Sequence, residues 1–110
     1  MKRRRSYSRV TRHALSLLGK LIRAERTQRN MTAQDLADRA GISRTTLYNI
    51  EKGEPGPEIG SVFEVATIVG VHLFEHDERM LQVHNTHLDE KLALLPKSVR
   101  PSTQEIDDDF

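Results

Sequence analysis

The spacing of helix caps and glycines in residues 32–53 most constrains what this chain can fold into. Thr32 and Ser43 each precede a stretch with helical periodicity, and a hydroxyl at such a place accepts a hydrogen bond from the free N–H groups of the first turn. Gly41 and Gly53 follow these stretches, where glycine readily adopts the positive φ that ends a helix. The pattern predicts two short helices joined by a tight turn.

The second of these helices, from Ser43 to Lys52, has two chemically different faces. Successive residues of a helix are rotated by about 100°, which places Leu47 and Ile50 together on one side. The opposite arc is polar and consists of Arg44, Thr45, Tyr48 and Asn49. We therefore expect this helix to pack through one face and to present the other.

The helix before this pair is predicted from His13 to about Asn30, and it is amphipathic. Its predicted inward positions are Ala14, Leu17, Leu18, Leu21 and Glu25, and its predicted solvent-facing positions are Lys20, Arg23 and Arg26. The first of the short helices should span 33–40, with Leu36, Ala37 and Ala40 inward.

Two further helices follow a loop at 54–57. The apolar stripe of the fourth is Ile59, Val62, Phe63, Ala66 and Val69, with Gly70 at its end and with Val71, Leu73 and Phe74 packing back on the core. A fifth helix from about Asp77 to Leu95, stopped by Pro96, has two apolar lines, which are Leu81, Leu88, Leu92 and Leu95 on one side and Met80, Val83 and Leu94 on the other. Since two apolar faces need two partners, we expect one to cover the four-helix domain and the other to contact a second subunit or another protein.

The net charge of +1 conceals a segregation of charge along the chain. Residues 1–29 contain ten Lys and Arg against one acid, Glu25, whereas the other 81 residues contain seven basic and fifteen acidic residues. We predict a basic arm over 1–12, a helical domain over 13–76, a C-terminal helix over 77–96 and a flexible acidic tail over 97–110. A basic segment attracts polyanions, of which nucleic acid is the commonest, although a solvated arm that binds nothing has the same composition.

Several function classes are disfavoured. No apolar run approaches the roughly 20 residues that span a bilayer, and the absence of cysteine excludes disulfides and thiolate metal sites. The histidine pairs at 72/76 and 84/87 have helical spacing without an HExxH pattern, so solvated histidines are the simpler reading. We expect a cytoplasmic protein with no membrane association that is not an enzyme and has no metal or cofactor.

The segment 31–53 resembles the helix-turn-helix of the Cro/repressor-like, or XRE-type, family. The matching positions are Leu36, Ala37, Gly41, Ile42, Ser43, Leu47, Ile50, Glu51 and Gly53, and the resemblance extends from about Leu17 to Phe74. It implies an all-α, lambda-repressor-like five-helix domain that binds double-stranded DNA. A major groove about 12 Å wide admits a helix, and only there do all four base pairs differ at their edges.

The resemblance also implies roles for individual residues. Arg44, Thr45 and Asn49 match base-contacting positions, where they would suit guanine, the thymine methyl and adenine respectively. The expected phosphate or backbone contacts are Ser43, Thr46, Tyr48, Lys52 and Gln34. For Tyr48, a half-exposed side chain with no role in binding is an equally good interpretation.

Two positions depart from the family pattern. Ala33 stands where the family commonly has Gln, with Gln34 following, and Glu54 stands where a Lys or Arg often contacts phosphate. We expect the basic arm to supply the missing contacts through Lys2, Arg3, Arg4 and Arg5, since neutralised phosphates release counterions and arginine enters narrow minor grooves.

Three further segments, 53–60, 92–100 and the closing Asp107 to Phe110, look like those of HipB-type antitoxins. That resemblance implies a homodimer on an inverted-repeat operator that represses its own operon and restrains a HipA-like serine/threonine kinase toxin. The expected partner contacts are Leu88, Leu92, Leu95 and Phe110. A free-standing regulator and a pure protein-interaction module remain as alternatives.

Overall fold

The computed structural model describes residues 6–74 and 77–101, and over these residues it consists of helices without any strand. The five helices are α1 (Arg9–Gln28), α2 (Ala33–Ala40), α3 (Arg44–Glu51), α4 (Ile59–Val69) and α5 (Glu78–Leu94). This confirms the predicted all-α, five-helix class. The chain divides into two compact units, one up to residue 76 and one from residue 77.

The predicted boundaries of α2 are confirmed because local hydrogen bonds fix both ends. At the start, the backbone N–H of Asp35 donates to Thr32 Oγ1 at 3.0 Å, and the backbone N–H of Thr32 donates to Asp35 Oδ2 at 3.2 Å. These bonds lower the pKa of Asp35, first through the Thr32 backbone and then through its side chain. At the other end Gly41 has φ +70°, a conformation that glycine adopts without a Cβ clash.

Helix α1 begins four residues before the predicted start. The side chain of Ser8 accepts a hydrogen bond from the backbone N–H of Thr11 at 3.2 Å and caps the helix there. Residues 9–12, which fall in the predicted basic arm, are therefore helical. Their arginines do not oppose a helix, since long basic side chains have good helix propensity and remain in solvent.

The predicted inward face of α1 is only partly right, since Leu18 packs against the core as predicted but Leu17 and Leu21 are exposed. Leu17 is 60% exposed and Leu21 is 44% exposed, whereas Gly19 and Ile22 are buried. Arg26, predicted to face solvent, also lies on the covered side. The reason is that a contact made through a glycine has no hydrophobic signature, so the leucines drew the predicted face away from the true one.

The core of the first unit is built from eight buried apolar residues. They are Ile22, Leu36, Ala37, Leu47, Ile50, Val65, Ala66 and Val69, and they come from α1, α2, α3 and α4. Val71 and Leu73 pack against this core as predicted. Two predictions fail here: Ile59 is 73% exposed, with Val65 buried in its place, and Phe74 is 71% exposed. Phe74 instead stacks on Phe63, with the ring centroids 6.0 Å apart.

The second unit contains α5, which begins after Asp77 and ends before Leu95, close to the predicted limits. The side chain of Asp77 caps it by accepting a hydrogen bond from the backbone N–H of Arg79 at 3.1 Å. No residue of this 17-residue helix is buried. Its leucines are all at least partly exposed, and the predicted contacts of its two apolar faces stay a prediction.

Candidate nucleic-acid interface

Helix α3 is fixed at its N-terminus by Ser43. The backbone N–H of Thr46 donates to Ser43 Oγ at 3.0 Å, and Ser43 Oγ–H in turn donates to Thr46 Oγ1 at 3.0 Å. The hydroxyl of Ser43 is thereby engaged in capping, whereas the hydroxyl proton of Thr46 is still free to donate outward. Of the two predicted hydroxyl contacts, the geometry favours Thr46 as the side-chain donor.

Two buried aliphatic side chains fix the inner face of α3. Leu47 is 1% exposed and Ile50 is 4% exposed, and both belong to the core. This confirms the predicted division of the helix into a packed and a presented face. Burial of two large aliphatic side chains on eight residues contributes several kcal/mol, at about 1.5–3 kcal/mol each, and leaves α3 little freedom to rotate.

The C-terminal end of α3 is held by an ion pair that the sequence analysis missed. Arg26 Nε lies 2.7 Å from Glu51 Oε2 and Arg26 Nη2 lies 3.0 Å from Glu51 Oε1, while Arg26 Nη1 donates to the carbonyl oxygen of Met31 at 3.0 Å. The hydrogen bond to Glu51 raises the pKa of Arg26 against the opposing effect of burial. The planar fork matches a carboxylate at two points, so this pair sets the distance and the angle between α1 and α3.

A glycine completes the junction between α1 and α3. A Cβ on Gly19 would lie 2.5 Å from the carbonyl oxygen of Glu51 and 2.6 Å from that of Ile50. The backbones of the two helices are therefore in direct contact, and the end of α3 rests on α1. The sequence signal was a lone glycine within a helical pattern, which in itself costs helix stability and points to close packing.

The outer face of α3 carries the predicted base-contacting residues. Arg44 and Thr45 are exposed, and Asn49 is half-buried at the edge of this face. Within the described part of the chain, the side chains of these three residues have no hydrogen-bond or ion-pair partner. A guanidinium, a hydroxyl and an amide thus lie on one arc with their donors and acceptors available.

Tyr48 and Lys52 lie on the same arc and contact each other. Lys52 Nζ is 5.3 Å from the centroid of the Tyr48 ring and donates to the Tyr48 hydroxyl at 3.4 Å. Tyr48 is 60% exposed. The ring restrains the ammonium through a weak cation–π contact and keeps the positive charge on the presented face of α3.

Gln34 lies on α2 and is exposed. Its Nε2 donates to Asp38 Oδ1 at 2.8 Å, one turn further along the same helix. A phosphate contact by this amide would have to compete with the Asp38 carboxylate. The glutamine that follows the usual family position is thus already paired within α2.

A shallow cleft of about 330 Å³ adjoins the outer face of α3. It is lined by Thr46 and Asn49 from the helix and by Glu54, Gly56 and Pro57 from the loop that follows. The cleft places the acidic side chain of Glu54 beside two polar side chains of the presented face. The sequence showed only that Glu54 was an unusual residue at this point.

The remaining predicted contacts fall in the second unit or outside the described residues. Lys2, Arg3, Arg4 and Arg5 of the arm lie outside the described residues, as does Phe110. Leu88 and Leu92 are 56% and 64% exposed on α5, and Leu95, its C-cap residue, is 47% exposed. The expected partner-binding leucines belong to the second unit and the polar face of α3 belongs to the first.

Among the described residues, no three histidine or acidic side chains come together in a way that would hold a metal ion. In the same part of the chain, no helix is both long and apolar enough to cross a membrane.

Comparison with known proteins places the first unit in a family. A family model described as helix-turn-helix matches residues 22–76, half of the chain. An uncharacterized HTH-type transcriptional regulator of Methanocaldococcus jannaschii is 38% identical over 58 residues, covering 48% of this chain and 88% of the relative. A second such regulator, from Methanothermobacter thermautotrophicus, is 34% identical over 50 residues, covering 46% of this chain and 72% of the relative. The chain therefore belongs to the XRE-type helix-turn-helix family of DNA-binding transcriptional regulators.

Proposed function

We propose that this protein is a transcriptional repressor that reads an inverted-repeat operator as a homodimer and acts as the antitoxin of a HipA-like kinase toxin. The observation that carries the DNA-binding part is the outer face of α3. Its Arg44, Thr45 and Asn49 have no partner within the described part of the chain. Leu47 and Ile50 anchor the opposite face, so the polar groups are presented at fixed positions.

The proposed base contacts follow from the chemistry of the groove edges. The fork of Arg44 suits the two acceptors of guanine, the amide of Asn49 suits adenine, and the methyl of Thr45 suits thymine. Thr46 and Lys52 are proposed to contact phosphate, and Tyr48 is proposed to contact the sugar–phosphate backbone. Ser43 and Gln34 contribute less through their side chains, because one caps α3 and the other donates to Asp38.

The basic arm is proposed to add sequence-independent affinity. Lys2, Arg3, Arg4 and Arg5 contribute four positive charges, and each phosphate they neutralise releases counterions. Deletion of residues 1–5 should weaken binding to all sequences and reduce the slope of log affinity against log salt concentration by as much as about 3.6. An unchanged slope would remove the arm from the interface.

Base reading is tested by Arg44→Ala on an operator selected from random DNA. We expect a loss of about 1–3 kcal/mol on the selected site and relaxed preference at one base position. Arg79→Ala is the matched control, since it removes an exposed arginine from α5 in the second unit. Equal losses on the operator and on random DNA would contradict base reading by Arg44.

The homodimer is supported by the apolar line Met80, Val83 and Leu94 of α5, which is not buried and which a second copy would cover, leaving the line of Leu88 and Leu92 for another protein. Sedimentation should give a dimer for the protein alone. With a selected operator it should give two chains per DNA duplex. The operator should contain two half-sites with centres about 10–10.5 base pairs, or a multiple of that, apart. A single half-site bound by one chain would contradict the proposal.

The antitoxin role is supported by the resemblance of segments 53–60, 92–100 and 107–110 to HipB-type proteins and by the exposed Leu88 and Leu92 on α5. Co-expression with the product of the neighbouring reading frame should give a complex with a kinase-like protein and should relieve its toxicity. Replacing Leu88 and Leu92 by serine should weaken that complex while operator binding by α3 persists.

The same experiments distinguish the alternatives. A chain that binds an operator without any kinase partner is a free-standing regulator. A chain that binds a protein partner but shows no affinity for DNA at low salt is an interaction module.

A further inference from the structure

Glu54 occupies a defined place beside α3. Gly53, with φ +81°, turns the chain at the end of the helix, and the backbone N–H of Glu54 then donates to the carbonyl oxygen of Asn49 at 2.9 Å. The first residue of the loop is thus tied to the residue proposed to read adenine. Its side chain lines the cleft together with Thr46 and Asn49.

The carboxylate of Glu54 is available for an outside partner. The residue is exposed, and within the described residues its side chain forms no hydrogen bond or ion pair. No basic side chain of the described chain neutralises it. A negative charge in this place repels the phosphates of a bound nucleic acid. A hydrogen bond that the carboxylate accepts from the bound molecule offsets this repulsion.

The loop residues that line the cleft leave room for a bound molecule. Gly56 has no side chain, and a Cβ built on it would meet no atom within 4 Å. Together with Pro57 it lines the cleft that Asn49 also lines. Since Asn49 and Glu54 line the same cleft, a base next to one read by Asn49 would approach the Glu54 carboxylate.

We propose that Glu54 is a specificity-determining residue that accepts a hydrogen bond from the exocyclic N4 amine of a cytosine adjacent to the base read by Asn49. This inference rests on the proposed function of α3. A carboxylate only accepts hydrogen bonds, and in the major groove cytosine presents a donor alone. Guanine presents two acceptors, adenine pairs its amine with the acceptor N7, and thymine presents an acceptor and a methyl group, so each fits the carboxylate less well.

The test is selection of binding sites from a random DNA pool by the full chain and by variants of the loop. We expect the unaltered protein to prefer cytosine at one position beside the adenine of each half-site by about fivefold or more. In Glu54→Ala this preference should fall below about twofold, while the preferences due to Arg44 and Asn49 persist. Glu54→Gln, which retains an acceptor and adds a donor, should tolerate cytosine, adenine and guanine there.

Glu58→Ala is the matched control. Glu58 is exposed in the same loop, just before α4, and its side chain makes no capping hydrogen bond, so the variant removes the same charge without touching the cleft. It should leave every base preference unchanged. Circular dichroism of all variants should show the same helix content, since both positions are exposed.

The outcomes separate the inference from the function on which it rests. If Glu54→Ala binds all sequences more tightly by the same factor and retains every base preference, the carboxylate only repels phosphate and the inference is overturned. If the unaltered protein shows no base preference at any position, the proposed function fails together with it.

Discussion

Helices α3 and α5 both carry leucines, yet they have opposite relations to the rest of their units. The eight residues of α3 include two that are buried, and the helix is capped by Ser43 and held by the Arg26–Glu51 pair. The 17 residues of α5 include none that is buried. The short helix is therefore the more tightly positioned one, because contacts with its neighbours rather than its length determine its geometry.

The difference assigns distinct roles to the two units. The first unit supplies a rigid base for a presented polar face, and its eight buried apolar residues account for that rigidity. The second unit presents apolar side chains on α5, none of which is buried. A partner that covers them gains the hydrophobic free energy that the isolated chain leaves unused.

The largest effect should come from equivalent leucine truncations in the two helices. Leu47→Ala removes a side chain that is 1% exposed and should lower the free energy of unfolding by about 2–5 kcal/mol. Leu92→Ala removes one that is 64% exposed and should change it by less than about 0.5 kcal/mol. Urea unfolding followed by circular dichroism measures both.

The same leucine pair also shows whether a second copy covers the side of α5 that carries Leu88 and Leu92. If it does, the effect of Leu92→Ala on unfolding should increase with protein concentration, because association stabilises the folded chain by mass action. A large, concentration-independent loss in Leu92→Ala would contradict the contrast between the two helices.

Breaking the Arg26–Glu51 pair should have the next largest effect. The two side chains are 14% and 10% exposed, so Arg26→Ala leaves an almost buried carboxylate unpaired and should lower the free energy of unfolding by about 3 kcal/mol. The exposed pair of Arg29 and Glu25 is the control, and Arg29→Ala should cost less than about 1 kcal/mol. Similar losses in the two variants would show that α3 does not depend on the buried pair.

Gly19→Ala tests the backbone contact between α1 and α3. The added Cβ would meet two carbonyl oxygens that cannot move without shifting α3, so we expect a loss of about 2 kcal/mol in the free energy of unfolding. Gly60→Ala within α4 meets nothing within 4 Å and should be neutral or stabilising by about 0.5–1 kcal/mol. A Gly19→Ala protein as stable as Gly60→Ala would exclude the close approach.

The smallest effect concerns pH. The pKa of Asp35 is lowered in the folded state by its hydrogen bonds to Thr32, so its contribution to stability is complete above the ordinary aspartate pKa of about 3.9 and is lost as the pH falls through the lower folded value. Thermal unfolding between pH 5 and pH 2, about the range where Asp titrates, should show a shallower decline in Asp35→Asn than in the unaltered chain. Identical pH profiles would show that the cap of α2 is not linked to this carboxylate.

Much of the helical framework could be predicted because its signals are local. Thr32, Gly41 and Ser43 set the ends of α2 and the start of α3 through hydrogen bonds that reach no further than five residues along the chain. The two faces of α3 follow from the same local periodicity. The start of α1 is set by an equally local signal, the cap at Ser8. It was missed because the many arginines around Ser8 suggested an arm rather than a helix.

Contacts between helices account for what the sequence did not predict. Arg26 and Glu51 are 25 positions apart, and nothing in their spacing marks them as partners. Leu17, Ile59 and Phe74 were expected inside because they are apolar, but small residues and neighbouring helices decided which faces met. The cleft beside Asn49 likewise depends on how the loop at 54–57 folds back along α3.

The sequence by itself determined the number of helices, the caps that bound the central pair and the polar arc of α3, since each depends on interactions within a few residues. Only the tertiary structure decided which side of α1 is covered, how α3 is clamped at its end and that Glu54 lies beside the reading face. These depend on the meeting of backbones and charges far apart in the chain, and the hydrophobic pattern of one helix contains no record of the shape of another.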